Sequence, residues 1–344
     1  MGSELVILVL VVVLALAFDY VNGFHDTANA VATVVSTGVM PPRTAVLLAA
    51  VCNFIGAFIG DGVAKTIGGN IAEPASITQV VVMSALLGAI IWNLLTWYFG
   101  IPSSSSHALI GGLVGAVWCH RVFNSVPAGT ALRELMTSEG VVLALKGLVL
   151  SPLLGLLGGF VLMILLTWLV LPLKAITVNS GFRVLQLGSA GFMAVAHGSN
   201  DAQKAMGIIT MALVSYSASK GEIMEMHVPF WVVVCCATSM ALGTAAGGGR
   251  IMKTMGHKII KLRPINGFAA ETAAACVILA ATKLDAPVST THVISSSIMG
   301  VGASRRVSAV RWGVAQNMLI AWVLTIPVSA MLAAVICAIL RQVL

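Results

Sequence analysis

Seven apolar runs dominate this chain: Leu5 to Ala17, Ala45 to Gly60, Ile77 to Phe99, Val141 to Leu171, Pro229 to Gly247, Ile265 to Ala281 and Trp312 to Leu340. A helix that crosses a bilayer needs about 20 residues, and runs of that order recur along nearly all 344 positions. In lipid every backbone N–H and C=O has to be satisfied within the protein, so only helices or a closed barrel can span it. The runs lack the short alternation of barrel strands, and the expected fold class is an all-α integral membrane protein. Charged residues make up 9% of the chain, against about a quarter in soluble domains. The net charge of +7 sits in short loops beside the runs, where the positive-inside rule puts it, and nucleic-acid binding is excluded on that ground. The first run has neither a basic start nor a small-residue cleavage pattern and reads as a retained helix. Six cysteines lie in or beside apolar stretches without metal-ligand spacing, so packing is their expected role and no cofactor or resident metal is expected.

The chain contains an internal duplication. Asn22-Gly-Phe-His-Asp-Thr-Ala-Asn-Ala30 aligns with His197-Gly-Ser-Asn-Asp-Ala-Gln-Lys-Ala205, which pairs Asp26 with Asp201 and Asn29 with Lys204. Pro102-Ser-Ser-Ser-Ser-His107 aligns with Pro287-Val-Ser-Thr-Thr-His292, and Lys65-Thr-Ile-Gly68 resembles Lys253-Thr-Met-Gly256. The halves are residues 1–172 and 173–344. Loops made equivalent by the repeat differ in charge: Asp61 to Glu73 holds one Lys and two acids, whereas Arg250 to Arg263 holds five basic residues and no acid. Likewise Arg121 to Glu139 is balanced, while Arg305 to Arg311 holds three basic residues and no acid. Because Lys and Arg mark cytoplasmic loops, equivalent loops face opposite sides and both termini are expected outside. An inverted-topology repeat in the cell membrane follows, the architecture of many secondary transporters. The hydroxyl clusters lie between apolar arms and read as tips of two re-entrant hairpins, with full crossings as the alternative. With two discontinuous-helix motifs at the polar patches, about 10–12 segments are expected.

Charged groups inside membrane segments are expensive, at roughly 2.5–3.5 kcal/mol each on insertion scales, and usually functional. Asp19, His25 and Asp26 occupy one polar patch; His197, Asp201 and Lys204 occupy its partner. Hydroxyls of Ser104, Ser105, Ser106, Ser289, Thr290 and Thr291, with N–H groups at helix starts, suit an oxyanion that must be bound and then released. Asp26 and Asp201 would accept a phosphate O–H or coordinate a coupling cation, and Asn29, Asn200 and Gln203 would supply amide donors and oxygens. Glu271, mid-run and without a counterpart in the first half, is a further coupling-ion candidate beside His25, Asp26, Asp201 and Lys204. His107 and His292 either orient the tips by hydrogen bonding or touch the ligand. Gly56 with Gly60, and Gly243 with Gly247, are read as close helix contacts.

These residues resemble the inorganic phosphate transporter (PiT) family, whose halves each carry a signature of the form GANDVANA. Residues 23–30 and 198–205 are variants of it, and the Pro-Ser-Ser-Ser-Ser-His and Pro-Val-Ser-Thr-Thr-His segments match its paired hairpin tips. The resemblance implies about twelve helical segments, external termini, phosphate bound near mid-membrane between the halves, and a homodimer. His25 and Lys204 stand where the sodium-coupled signature has asparagine. In this they are similar to the low-affinity bacterial permeases, which the family associates with proton coupling and with carriage of metal-phosphate complexes. Proton coupling is therefore expected over sodium. The rivals are a sulfate permease, a sodium-coupled symporter, an intramembrane hydrolase and a channel. Mirrored duplication argues against a hydrolase, which needs one nucleophile with one oxyanion hole, and no enzymatic activity is expected.

Overall fold

The computed structural model describes residues 2–70 and 78–343. Among them are 13 α-helices, one 3-10 turn and no strand. The order of elements runs twice. The first series is α1 (Gly2–Ser36), α2 (Pro42–Gly56), α3 (Gly62–Asn70), α4 (Gln79–Phe99), α5 (Ser105–Phe123), α6 (Ala128–Met136) and α7 (Glu139–Val170). The second is α8 (Ala175–Ser219), α9 (Phe230–Ala246), α10 (Gly249–His257), α11 (Pro264–Lys283), α12 (Thr290–Ala303), the 3-10 turn Val307–Ala309 and α13 (Trp312–Val343). Helices α3 and α10 have 9 residues each, and α7 and α13 have 32 each with an internal proline, Pro152 or Pro327. Glu73, which entered the loop comparison, and Ile77, the start of the third apolar run, lie outside the described residues.

Polarity is distributed inside out. Leu150, Leu153, Leu154 and Leu157 on α7 and Leu319, Val323, Val335 and Ile339 on α13 are exposed, while Asp19, His25, Asp26, His197, Asp201, Lys204 and Glu271 are buried. A protein in water does the reverse with its charges; an apolar exterior around a polar interior suits lipid. By length and composition α1, α4, α7, α11 and α13 can each cross a membrane, and α9 with α10, bent by 59°, makes a sixth candidate. At 14 residues α12 rises about 21 Å, short of a hydrocarbon core of about 30 Å.

The expected interruption of the two polar motifs is corrected in position. Residues 22–30 lie within the unbroken α1, and 197–205 within the unbroken α8. Asp26, Asn29, Asp201 and Lys204 find their partners sideways on other helices, so the backbone has no cause to open. The breaks fall one element later, between α2 and α3 and between α9 and α10, where Gly60 (φ +80°) and Gly247 (φ +77°) take the left-handed conformation that glycine tolerates. Only the first glycine of each four-residue pair is a contact glycine. A Cβ at Gly56 would fall on the backbone of Val195 in α8, and one at Gly243 on the backbone of Tyr20 in α1. Helix α2 is thereby clamped to α8, and α9 to α1. Gly243→Ala is expected to destabilise the fold by about 1–3 kcal/mol through overpacking, read as a lowered thermal midpoint in detergent; an unchanged midpoint would contradict the clamp.

Hairpins form where the hydroxyl clusters predict them. Helices α4 and α5 pack together, as do α11 and α12, and each connection opens the second helix with a capping serine. Ser104 Oγ accepts the His107 N–H and Ser289 Oγ accepts the His292 N–H, both at 3.2 Å, a side-chain N-cap. The arms are exchanged: α5 packs on α13 and α12 packs on α7. The tips consequently meet, with Ser106 Oγ donating to Val288 O at 3.3 Å.

Candidate functional site

Asn22, His25, Asp26 and Asn29 follow a 3, 4, 7 spacing on α1, and His197, Asn200, Asp201 and Lys204 repeat it on α8. That spacing places four polar groups on one helix face. All eight are at most 2% exposed. The two faces converge on one centre: a carboxylate oxygen of Asp26, a ring nitrogen of His197 and a carboxylate oxygen of Asp201 lie within 4.8 Å of one another.

Each aspartate is held by the hairpin tip of its own half. Ser105 Oγ lies 2.9 Å from Asp26 Oδ2, and Thr290 Oγ1 donates to Asp201 Oδ2 at 3.0 Å. Ser105 also lies 2.5 Å from Asn22 Oδ1; with a single hydroxyl proton for two acceptors, it can serve only one at a time. The residues at the last position of each face cross to the opposite tip. Asn29 Nδ2 donates to Thr291 Oγ1 at 2.9 Å and Thr290 Oγ1 at 3.3 Å. Lys204 Nζ donates to Ser106 Oγ at 2.5 Å, to Val288 O at 3.2 Å and to Asp201 Oδ1. Thr291 adds a 3.3 Å bond to Asp26 Oδ1, so the second tip touches both aspartates. His25 bridges Asp26 (2.6 Å) and Thr96 (3.1 Å), and Ser103 joins both His25 (3.3 Å) and Thr96 (2.8 Å).

A chain of three hydrogen bonds determines which nitrogen of His197 carries a proton. Thr244 Oγ1 donates to Met240 O (2.9 Å) and therefore accepts from Asn53 Nδ2 (2.9 Å). Asn53 Oδ1 is then the acceptor facing His197 Nδ1 at 3.1 Å, which makes Nδ1 the N–H. Nε2 has no hydrogen-bond partner, yet lies 3.2 Å from Asp201 Oδ2. A ring lone pair facing a carboxylate is repulsive unless a proton or a cation stands between them. A proton or a cation in the gap between Nε2 and Asp201 Oδ2 would remove that repulsion.

Other expected site residues are placed elsewhere. The Gln203 amide caps the helix break, accepting Val63 N–H at 2.9 Å and donating to Ile59 O (3.1 Å) and Ser199 O. Ile59 lies in the break and Val63 in the first turn of α3, partners that spacing in the motif does not reveal. Ser104 and Ser289 act as helix caps. Asn200 donates to Thr282 at 3.0 Å and leaves Oδ1 without a partner. Glu271 belongs to a separate buried cluster, where Thr33 (2.5 Å), Gln186 (3.1 Å) and Ser189 donate to its carboxylate. His107 Nδ1 and both His292 ring nitrogens lack hydrogen-bond partners. Instead the rings pack: His107 lies 4.8 Å from His292, which stacks at 4.0 Å on Trp322 of α13. Trp322 Nε1 then donates to Pro102 O at 3.1 Å, tying both tips to one side chain. Trp322, Asn53, Thr96 and Thr244 went unrecognised because each sits in an apolar run that packing alone explains. Asp19 is fully buried with both carboxylate oxygens unpartnered.

The sequence pattern of the phosphate transporter family matches residues 22–333, a span that contains both motif faces and both tips. The chain belongs to the phosphate transporter family. Members of this family are transporters, not enzymes, and the apolar helices make this one a multi-pass membrane protein. A Bacillus subtilis protein, "Probable low-affinity inorganic phosphate transporter", is 48% identical over 337 residues, covering 97% of each chain. A Rhizobium meliloti protein of the same description is 48% identical over 329 residues, covering 95% of each. A Mycobacterium tuberculosis relative, again so described, is 43% identical over 338 residues and covers 97% of this chain and 78% of its own. Among solved structures, "The sodium-dependent phosphate transporter" superposes with a TM-score of 0.85 at 24% identity, over 98% of this chain and 100% of that one, a likeness of fold.

Proposed function

We propose that this phosphate transporter is a low-affinity, proton-coupled symporter that seats inorganic phosphate where the two hairpin tips meet Asp26 and Asp201. The carrying observation is the convergence of one aspartate from each motif on a single buried centre. Ser105, Ser106, Thr290 and Thr291 supply hydroxyl donors to phosphate oxygens, Asn29 an amide donor, and the aspartates accept the proton that phosphate retains and sulfate lacks at neutral pH. This selects against the sulfate alternative. The repeats, residues 1–172 and 173–344, would be inserted in opposite orientations in the cell membrane with both termini external, and a homodimer is the expected assembly.

Coupling to protons rather than sodium is supported by Lys204. Its ammonium is surrounded by a carboxylate, a hydroxyl and a backbone carbonyl, the oxygen types a hard cation uses. An ammonium there removes the need for sodium, and Glu271 offers a further buried carboxylate for proton transfer. Uptake into proteoliposomes under separately imposed gradients tests this: acid outside should drive accumulation of phosphate, and a sodium gradient should not. Sodium-driven uptake without response to pH would sink the proposal.

A second reading, carriage of phosphate together with a divalent metal, is favoured by the Asp26–His197–Asp201 arrangement. Imidazole and carboxylate oxygens suit ions such as manganese or zinc. If it holds, labelled manganese should enter with phosphate in a fixed ratio, and His197→Ala should lower manganese entry more than phosphate entry. Phosphate entry with no accompanying manganese would exclude it.

A further inference from the structure

The connection between α10 and α11 and the one between α12 and α13 are about 45 residues apart in sequence, yet they close around a single cavity of ≈ 490 Å³. Lys261 and Arg263 line it from the first, Arg305, Arg306 and Arg311 from the second, and the buried Asn266 from the start of α11. No acidic residue lines it, and none of the five basic side chains pairs with a carboxylate among the described residues. The loops are stitched together regardless of their repulsion: Arg311 N–H donates to Ile259 O at 3.0 Å, and Arg311 Nη1 reaches His257 O at 3.5 Å. The positive-inside rule accounts for basic residues on one side of a membrane. It does not account for five of them turned on one cavity, where like charges raise each other's energy unless an anion neutralises them.

We propose that this cavity binds a phosphate-bearing anion, and that the anion is the headgroup of an acidic phospholipid. Two observations and one general rule point to the lipid. The cavity lies at the open end of the α11–α12 hairpin, between Arg263 at the start of α11 and Arg305 just beyond α12. Val307 and Trp312, on the second loop, are 64% and 46% exposed beside it, an apolar and an aromatic side chain suited to acyl chains and the bilayer interface. Basic pockets of this kind between membrane helices hold anionic headgroups. Because the other end of the same hairpin carries Thr290 and Thr291, an occupied cavity would brace the arm that reaches Asp26 and Asp201. This site is separate from the transport site and does not depend on the choice of coupling ion.

The test compares wild-type protein with Lys261→Gln/Arg305→Gln/Arg306→Gln, and with Arg43→Gln/Lys174→Gln/Arg183→Gln as a control of equal charge loss outside the cavity. Native mass spectrometry should show phosphatidylglycerol retained by wild type and control. Its affinity for the first variant should fall on the order of a hundredfold, at about fivefold for each basic residue. Should the triple variant fail to insert, Arg306→Gln alone should weaken retention about fivefold. A soluble source is separated by titrating pyrophosphate into delipidated protein in detergent. Pyrophosphate bound in the same variant-dependent way, with phosphatidylglycerol ignored, would keep the anion site and replace the lipid. Equal retention of both probes by wild type and the cavity variants would overturn the proposal, even with phosphate uptake intact.

Discussion

Asp201→Asn is expected to abolish phosphate uptake and to lower the yield of folded protein. The carboxylate is fully buried against Lys204, also fully buried, and removing one member of such a pair costs about 3–5 kcal/mol because the other charge is stranded. Uptake should fall by a factor of about a hundred or more, since the same change leaves one acceptor oxygen for the Thr290 and Lys204 donors and removes the charge that faces His197 Nε2. Stability and transport can be separated. Asp201→Asn/Lys204→Met removes both charges and should recover folded yield, with uptake still lost. Asp26→Asn should cost as much in transport but less in stability, because no lysine is left unpaired. Wild-type uptake by Asp201→Asn in proteoliposomes, measured at equal protein, would refute the shared site.

Lys204→Asn is expected to change the driving ion. With the ammonium gone, Asp201, the Ser106 hydroxyl and Val288 O are left around a position that lacks its cation. Carboxylate, hydroxyl and carbonyl oxygens are what a hard cation takes, so sodium should now stabilise the protein and stimulate uptake. Without sodium, uptake should drop by about a hundredfold, the scale of a broken buried ion pair. The readouts are phosphate uptake and thermal midpoint against sodium concentration, each with potassium as the control. A variant that remains driven by pH and indifferent to sodium would show that Lys204 does not stand in for a cation.

Both predictions rest on residues that stand out in the chain itself. The 3, 4, 7 spacing of Asn22, His25, Asp26 and Asn29 is a helix face whatever the surroundings, and its repetition at 197–204 marks the pair of faces. Pro102 and Pro287 followed by hydroxyls announce two helix starts, and Ser104 and Ser289 do cap them. Nothing comparable marks Gln203, which has the composition of a ligand residue and the position of a helix cap. Its partners, residues 59–64, are some 140 positions away, and only folding brings them to the amide. The same holds for the continuous path of α1 and α8 through their polar motifs. Whether a polar segment opens its helix depends on whether neighbours satisfy its side chains from the side.

What the sequence determined by itself is therefore everything with a local cause: helices from the length of apolar runs, two matching polar motifs from the repeat, caps from proline and hydroxyl order, and kinship from the ordered motifs. What only the tertiary structure decided is partnership. The exchange of arms between α5–α13 and α12–α7, the Trp322 clasp on both tips, the proton position on His197 and the gathering of five basic side chains on one cavity all join residues distant along the chain. Backbone hydrogen bonding acts over four residues and writes itself into sequence period, whereas contacts between helices are selected by the fit of whole surfaces, which no short stretch of residues contains.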